Sequence, residues 1–339
     1  MNSTQKEVKN NNFTNKKNII LKIFRARETG VFCAMIFIVI IMSIASPYFL
    51  SPLNIFNVLR SMSTIAIMAI GMTMVIVTSG IDLSVGSLLA VTGMITARLM
   101  YHGLNPFFSL FMGFFLGFVL GFINGLIISK FKVTPFITTL GMLSIARGLT
   151  YLLSTGVKGT VSSNIPMTNE FINFIGAGYL GPVPFPVVLM IILVIVFTLF
   201  LKHTVLGRQI YAVGSNEDAA RLSGVNVNMI KIFVYTMTGG LCALAGIITS
   251  GLLYTAATNY GQGDELNVIA AVVIGGASLM GGEGTVLGAA IGAAIMALLR
   301  NAFVLLHFPI YMQTISIGIV IILAVGIDQL RKHAGDKTV

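Results

Sequence analysis

The sequence predicts an all-α integral membrane protein of about ten transmembrane helices, arranged as two related five-helix halves with some helices broken or re-entrant. Composition is the first reason: 56% of the 339 residues are apolar and only 9% charged, whereas a soluble domain has about a quarter of its residues charged. The second is that the apolar residues fall in repeated stretches near the roughly 20 that a helix needs to cross hydrocarbon. The third is that Lys and Arg concentrate in short hydrophilic gaps, as the positive-inside rule requires.

Residues 1–29 are polar, Asn- and Lys-rich, and read as a disordered cytoplasmic tail, with Ile19 to Arg27 able to form a short basic amphipathic helix on the inner leaflet. The first apolar run, Val31 to Leu50, is longer than a signal-peptide core and is followed by further spans, so it reads as an uncleaved anchor. Later spans are expected near 61–79, 83–100, 106–128, 134–155, 184–201, 232–254, 267–280, 284–305 and 310–329, which makes ten within a membrane domain of 30–330. The stretches 83–100 and 267–280 are short enough to be broken or re-entrant. Residues 331–339 form a second cytoplasmic tail.

An even count places both termini on one side. Threading it from a cytoplasmic N-terminus puts the gaps 129–133 and 202–231 inside and the gaps 156–183 and 256–266 outside. Sixteen of the 21 basic residues then face the cytoplasm, while Glu170, Asp264 and Glu265 lie outside opposite Lys158. This scatter has neither the single basic face nor the aromatic interleaving that nucleic acid would require, and excludes that class of partner. Cys33 and Cys242 read as apolar core residues, four scattered His show no ligand spacing, and no metal site is expected.

Helix packing is expected along glycines. Met112 to Gly125 (M-G-F-F-L-G-F-V-L-G-F-I-N-G) sets Gly113, Gly117, Gly121 and Gly125 four apart, and a second stripe runs Gly284, Gly288, Gly292. Such rows let helix backbones approach closely where burial alone gives little drive to associate. The two halves echo each other: Asp82-Leu83-Ser84-Val85 and Glu283-Gly284-Thr285-Val286 each open a span after a Gly-bearing break. Carboxylates and hydroxyls suit a helix N-terminus, so Asp82 and Glu283 read as caps at cytoplasmic ends.

Candidates for the translocation path are Asp82, Ser84, Ser144, Arg147, Ser154 and Asn301. Arg147 lies deepest and has several readings: a structural partner for carbonyls of a broken helix, a sugar contact, a gate, or a snorkelling side chain. Asn57, Asn124 and Asn301 could bond a solute or serve as polar glue between helices, the commoner use. Arg300 reads as a packing or interface residue.

The most informative hydrophilic segment is 202–231. Ser215 followed by Asp218 has capping-box spacing, Gly224 suits a helix terminator, and a two-turn helix fits from Asn216 to Ser223. Glu217 and Asp218 favour its N-terminus and Arg221 its C-terminus, while Ala219, Ala220 and Leu222 provide a small apolar surface. A surface helix that tidies a loop is one reading of this segment. A docking element for a cytoplasmic partner is the other.

This segment resembles the coupling loop of ABC-importer permeases, in which a short helix with an acid-Ala-Ala core and a following Gly fits a cleft of the ATPase; Glu217, Ala219, Ala220 and Gly224 occupy the matching positions. Thr78 to Ser87 (T-S-G-I-D-L-S-V-G-S), Asn267 to Gly288 and Leu222 to Val227 (L-S-G-V-N-V) resemble signatures of the ribose-type, simple-sugar permeases. That family also serves xylose, arabinose and galactosides. The resemblance implies a permease subunit in a bacterial cytoplasmic membrane, a second permease copy, and an ATPase subunit that uses ATP and Mg. It also implies an extracytoplasmic solute-binding protein and a monosaccharide cargo, ribose favoured. It assigns ATPase coupling to Asn216 through Gly224. The chain itself has no G-x-x-x-x-G-K-[ST], nor any Gly-Lys pair, so no cofactor of its own and no enzymatic role are expected. The rival is an ion-coupled secondary transporter, which would place ionisable groups deep in the bilayer; here Asp82 and Glu283 are expected only at span margins.

Overall fold

The computed structural model describes residues 27–155 and 164–336. Among them the helices are α1 (Arg27–Ala45), α2 (Pro52–Val77), α3 (Val85–Tyr101), α4 (Pro106–Lys130), α5 (Pro135–Ser154), α6 (Glu170–Ala177) and α7 (Phe185–His203). They continue with α8 (Val205–Ser215), α9 (Glu217–Leu222), α10 (Val227–Leu252), α11 (Asp264–Ile274), α12 (Val286–Leu305) and α13 (Ile310–Asp336). Four short strands lie between them: β1 (Asn164–Pro166), β2 (Tyr179–Leu180), β3 (Val183–Pro184) and β4 (Thr255–Ala257). The expected amphipathic helix over 19–27 and Lys158 lie essentially outside the described residues.

Six helices (α2, α4, α5, α7, α10 and α12) are long and apolar enough to cross a bilayer, and the stretches Thr29–Ala45, Val85–Tyr101 and Ile310–Leu323 are shorter apolar helices. The expected span at 267–280 is instead the 11-residue α11, which stops at Gly275. Proline sets the starts: Pro52, Pro106 and Pro135 each occupy a first helical position, where a missing N–H costs nothing. Ser51 caps α2, whose start therefore lies nine residues before the expected 61. Helix α13 runs on through residue 336, into the stretch expected as a tail.

The core forms around α10, which packs on α4, α2, α3 and α6. Glycine makes the α4–α10 approach possible. Gly117 faces the backbone of Gly239, Gly121 that of Tyr235 and Gly125 that of Ile232, while Gly113 turns to Thr96 of α3. The other faces of α4 expose Phe107, Phe111, Phe115 and Phe122, as a lipid-facing surface should. In the second stripe Gly288 meets Gly275 and Gly292 meets Ala271, so that α12 lies against α11. Gly284 is not part of that helical stripe: it precedes α12, with φ 154°.

A Cβ at residue 117 would lie 2.6 Å from the Gly239 carbonyl oxygen and 2.7 Å from the Ala243 methyl, whereas at residue 141 nothing lies within 4 Å. Gly117→Leu is therefore expected to destabilise the fold by about 1–3 kcal/mol, while Gly141→Leu leaves it nearly unchanged. The check is the fraction of protein still monodisperse by size exclusion after graded heating in detergent.

Candidate functional site

Loops gather at two ends of the molecule. At the strand end, β1 pairs antiparallel with β4, Ile165 opposite Ala256, joining the two gaps expected outside the cell. Arg98, at the end of α3, donates to the Leu153 and Thr155 carbonyls. Arg147, half-buried, donates to the carbonyls of Thr258 and Tyr260 at 2.8 and 2.9 Å. It thus anchors the turn that leads into the half-length α11, with one guanidinium nitrogen bonded to two backbone carbonyls.

A cavity of about 590 Å³ opens at this end between α2, the end of α10 and the turn before α11. Asn57, Arg60, Ser61, Thr64, Thr249, Asn259, Gln262, Asp264 and Arg300 contribute its polar wall. Most of these groups are uncharged donors and acceptors. Arg60 donates to the Ala177 carbonyl at 3.3 Å, and its guanidinium carbon lies 4.9 Å from the Tyr179 ring centroid. Arg300 and Asp264 approach to 4.0 Å.

None of the six residues predicted for the path lines this cavity. Asn301 exchanges two amide hydrogen bonds with Asn54, at 2.7 and 3.1 Å, and ties α12 to α2. Ser144 is exposed and bonds the Leu140 carbonyl of its own helix; Ser154 is buried and bonds Tyr151. Asp82 is not at an exposed margin: it is fully buried and accepts from the backbone N–H and hydroxyl of Ser84 at 2.8 and 2.6 Å. Asn124 in turn donates to the Ser84 hydroxyl at 3.1 Å. The side-chain cap of α12 is Thr285, which accepts from Gly288 N–H, and not Glu283. Of the six, Arg147 comes nearest the cavity wall, through Tyr260.

At the opposite end, the two helix breaks meet. Gly282 N–H donates to the Val77 carbonyl at 2.8 Å, and the Ser79 hydroxyl reaches the carbonyls of Met280 at 2.9 Å and Gly214 at 3.3 Å. Helix α8, which the sequence did not predict, is seated in this junction: Gly214 packs on the Val77 carbonyl, and the Tyr211 hydroxyl donates to the Gly284 carbonyl at 2.7 Å. Burial raises the Tyr211 phenol above its usual pKa, so it stays protonated and remains a donor.

Helix α9 follows after a single residue, Asn216. Its cap is Asn216, which accepts from Ala219 N–H at 2.9 Å; Ser215, the expected cap, instead ends α8. Gly224 N–H bonds Arg221 and Val225 N–H bonds Ala220, with Gly224 at φ 86°, a Schellman stop. Glu217 pairs with Arg221 at 3.0 Å and with Lys231 of α10 at 2.6 Å, which clamps the helix to its neighbour. Ala220 turns inward and is buried, whereas Leu222 is 90% exposed and Met229 65%. The apolar surface on offer is therefore Ala219, Leu222 and Met229, not the Ala219–Ala220 pair.

Comparison with known proteins gives this geometry a family. The model described as "Branched-chain amino acid transport system / permease component" matches residues 54–325. The chain belongs to this permease family. The permease is 42% identical over 303 residues to the ribose import permease protein RbsC of Bacillus subtilis (strain 168), covering 89% of this chain and 93% of that one. It is 44% identical over 299 residues to RbsC of Escherichia coli (strain K12), with coverage of 88% and 92%. It is 34% identical over 316 residues to the D-allose transport system permease protein AlsC of Escherichia coli (strain K12), with coverage of 93% and 95%. No solved structure matches the permease at a significant level.

Sequence reasoning passed over Arg60 and Arg98. Placing the second span at 61 left Arg60 outside it, although Ser51-Pro52, a cap followed by a first-turn proline, marks the true start. For Arg147→Met, loss of two hydrogen bonds from a charged donor, each about 1.5–3 kcal/mol, is expected to loosen the turn at 258–262. Amide hydrogen exchange there should rise while exchange at Val234–Tyr235 in the core stays slow.

Proposed function

We propose that this permease is the membrane-spanning subunit of an ATP-binding-cassette importer that moves a monosaccharide, ribose favoured, across the bacterial cytoplasmic membrane. The observation that carries the reading is its 42–44% identity to ribose import permeases over 88–89% of the chain. The sugar reading is favoured over the amino acids in the family's description because a relative named for D-allose also matches over most of its length. The strand-end cavity suits such a cargo: a sugar brings hydroxyls and little charge, and Asn57, Ser61, Thr64, Asn259 and Gln262 offer neutral hydrogen-bonding groups.

In this reading α1–α5, α7 and α10–α13 make ten membrane segments in two five-helix halves, with both termini and α8–α9 on the cytoplasmic side. Two copies pair, an ATPase supplies ATP and Mg chemistry, and a binding protein delivers solute at the strand end. The exposed Leu222 and Ala219 dock in the ATPase. Movement of α9 passes through α8 to the junction of Val77–Ser79 with Met280–Gly284, since Tyr211 and Gly214 are bonded or packed there. Those breaks begin α3 and α12, so shifting them changes the tilt of two helices and switches access.

The replacement Leu222→Asp with Ala219→Glu is expected to lower ATP-dependent uptake and stimulated ATPase activity by about ten-fold or more, as loss of an apolar interface anchor implies. The permease should still assemble, because both side chains are exposed. Unchanged uptake and stimulation would remove α9 from the coupling path. For the cargo, proteoliposomes holding permease, ATPase and binding protein should accumulate labelled ribose in an ATP-dependent manner. Xylose, arabinose and galactosides serve as competitors. Uptake that needs an ion gradient and no ATP would overturn the importer reading.

A further inference from the structure

A second cavity, about 560 Å³, lies at the other end of the molecule where α7 gives way to α8, bounded by the start of α12. Its lining divides in two. Lys202, Arg208 and Tyr211 form a polar rim, while Leu201, Val286 and Leu287 form an apolar wall. No Asp or Glu lines it among the described residues. Lys202 and Arg208 are both exposed, and Arg208 gives one guanidinium N–H to the His203 carbonyl at 3.4 Å, which leaves most of its fork available. Inside, the Thr198 hydroxyl oxygen is buried with no hydrogen-bond partner. Above this rim α7 exposes Ile195, Val196 and Leu199 along a lipid-facing surface, and Leu287 is 47% exposed beside it.

We propose that this cavity binds the phosphodiester headgroup of an anionic phospholipid, with its acyl chains along α7 and Leu287. Two cationic side chains without a facing carboxylate suit one phosphodiester charge, and both are exposed where they can reach its oxygens. Leu287 in the apolar wall is half-exposed, an apolar surface that a soluble phosphate would not use. The cavity also sits at the end of a membrane-crossing helix, the depth at which headgroups lie. Because Tyr211 lines it while bonding the Gly284 carbonyl, a bound headgroup touches the same junction that holds α8.

The test reads lipid and not transport, so its outcome is separate from the importer reading. The full chain, extracted from nanodiscs of phosphatidylcholine and phosphatidylglycerol with any subunits that co-purify, is examined by native mass spectrometry. Retained phosphatidylglycerol is expected. The double variant Lys202→Gln with Arg208→Gln should lower its retention roughly thirty-fold, as removal of two basic side chains at the bilayer surface implies. Lys130→Gln with Lys132→Gln should not lower it. Equal loss in both variants would mean diffuse surface charge and overturn the site. Displacement by millimolar inorganic phosphate would make the occupant soluble phosphate and overturn the lipid assignment. Should the variant fail to assemble, phosphatidylglycerol with a photoactivatable acyl chain is cross-linked to the unaltered chain. Adducts are expected within 195–211 and 285–291, and adducts confined to other segments would overturn the proposal.

Discussion

A helix that ends releases amides and carbonyls that need partners. The end of α2 and the loop before α12 supply them to each other. Val77 ends α2 with a carbonyl that Gly282 N–H reaches, and the Ser79 hydroxyl bridges to Met280. Each break thus satisfies the other. The positive φ angles of Ser79, Gly281 and Gly282 belong to that mutual fit, and the packing of Gly214 on Val77 follows from it. Remove one side of the junction and the other is left with orphaned polar groups.

The same economy of polar groups governs the buried side chains. Asp82, Ser84 and Asn124 bond one another in the core, and Thr73, Thr92, Thr96 and Thr238 return their hydroxyls to carbonyls of their own helices. Charges are treated differently. Arg98 and Arg147 turn to backbone carbonyls at the strand end, so their role there is to fasten loops together. The polar cavity opens beside those fastened loops.

Two helices reach from one end to the other. Helix α2 carries Asn57, Arg60 and Ser61 to the cavity at one end and Val77 to the junction at the other. Helix α12 carries Arg300 to the cavity and Thr285 to the opposite end. Helix α8 therefore touches the junction ends of the same two helices whose far ends line the cavity. Close glycine packing of α4 on α10, and of α12 on α11, lets backbones bear on one another without flexible side chains between them.

Membrane character, most span positions, the glycine rows and the short capped helix were legible because each rests on local pattern: hydropathy over about 20 residues, four-residue spacing, and cap chemistry within a few residues. Asn216 in place of Ser215 was a one-residue error of the same local kind. What lay beyond reach depends on residues far apart in the chain. The burial of Asp82 shows only when Asn124, forty positions after Ser84, is packed against the Ser84 that bonds it. Asn301 reads as a path candidate until Asn54 answers its amide. Only tertiary packing turned Ala220 inward and Leu222 outward, since the ends of α8 and α10 select the buried face of so short a helix. The sequence by itself determined that this chain lives in a membrane and which local elements it carries. The tertiary structure decided which polar groups meet, because burial favours pairing them and pattern along the chain does not say where the partner lies.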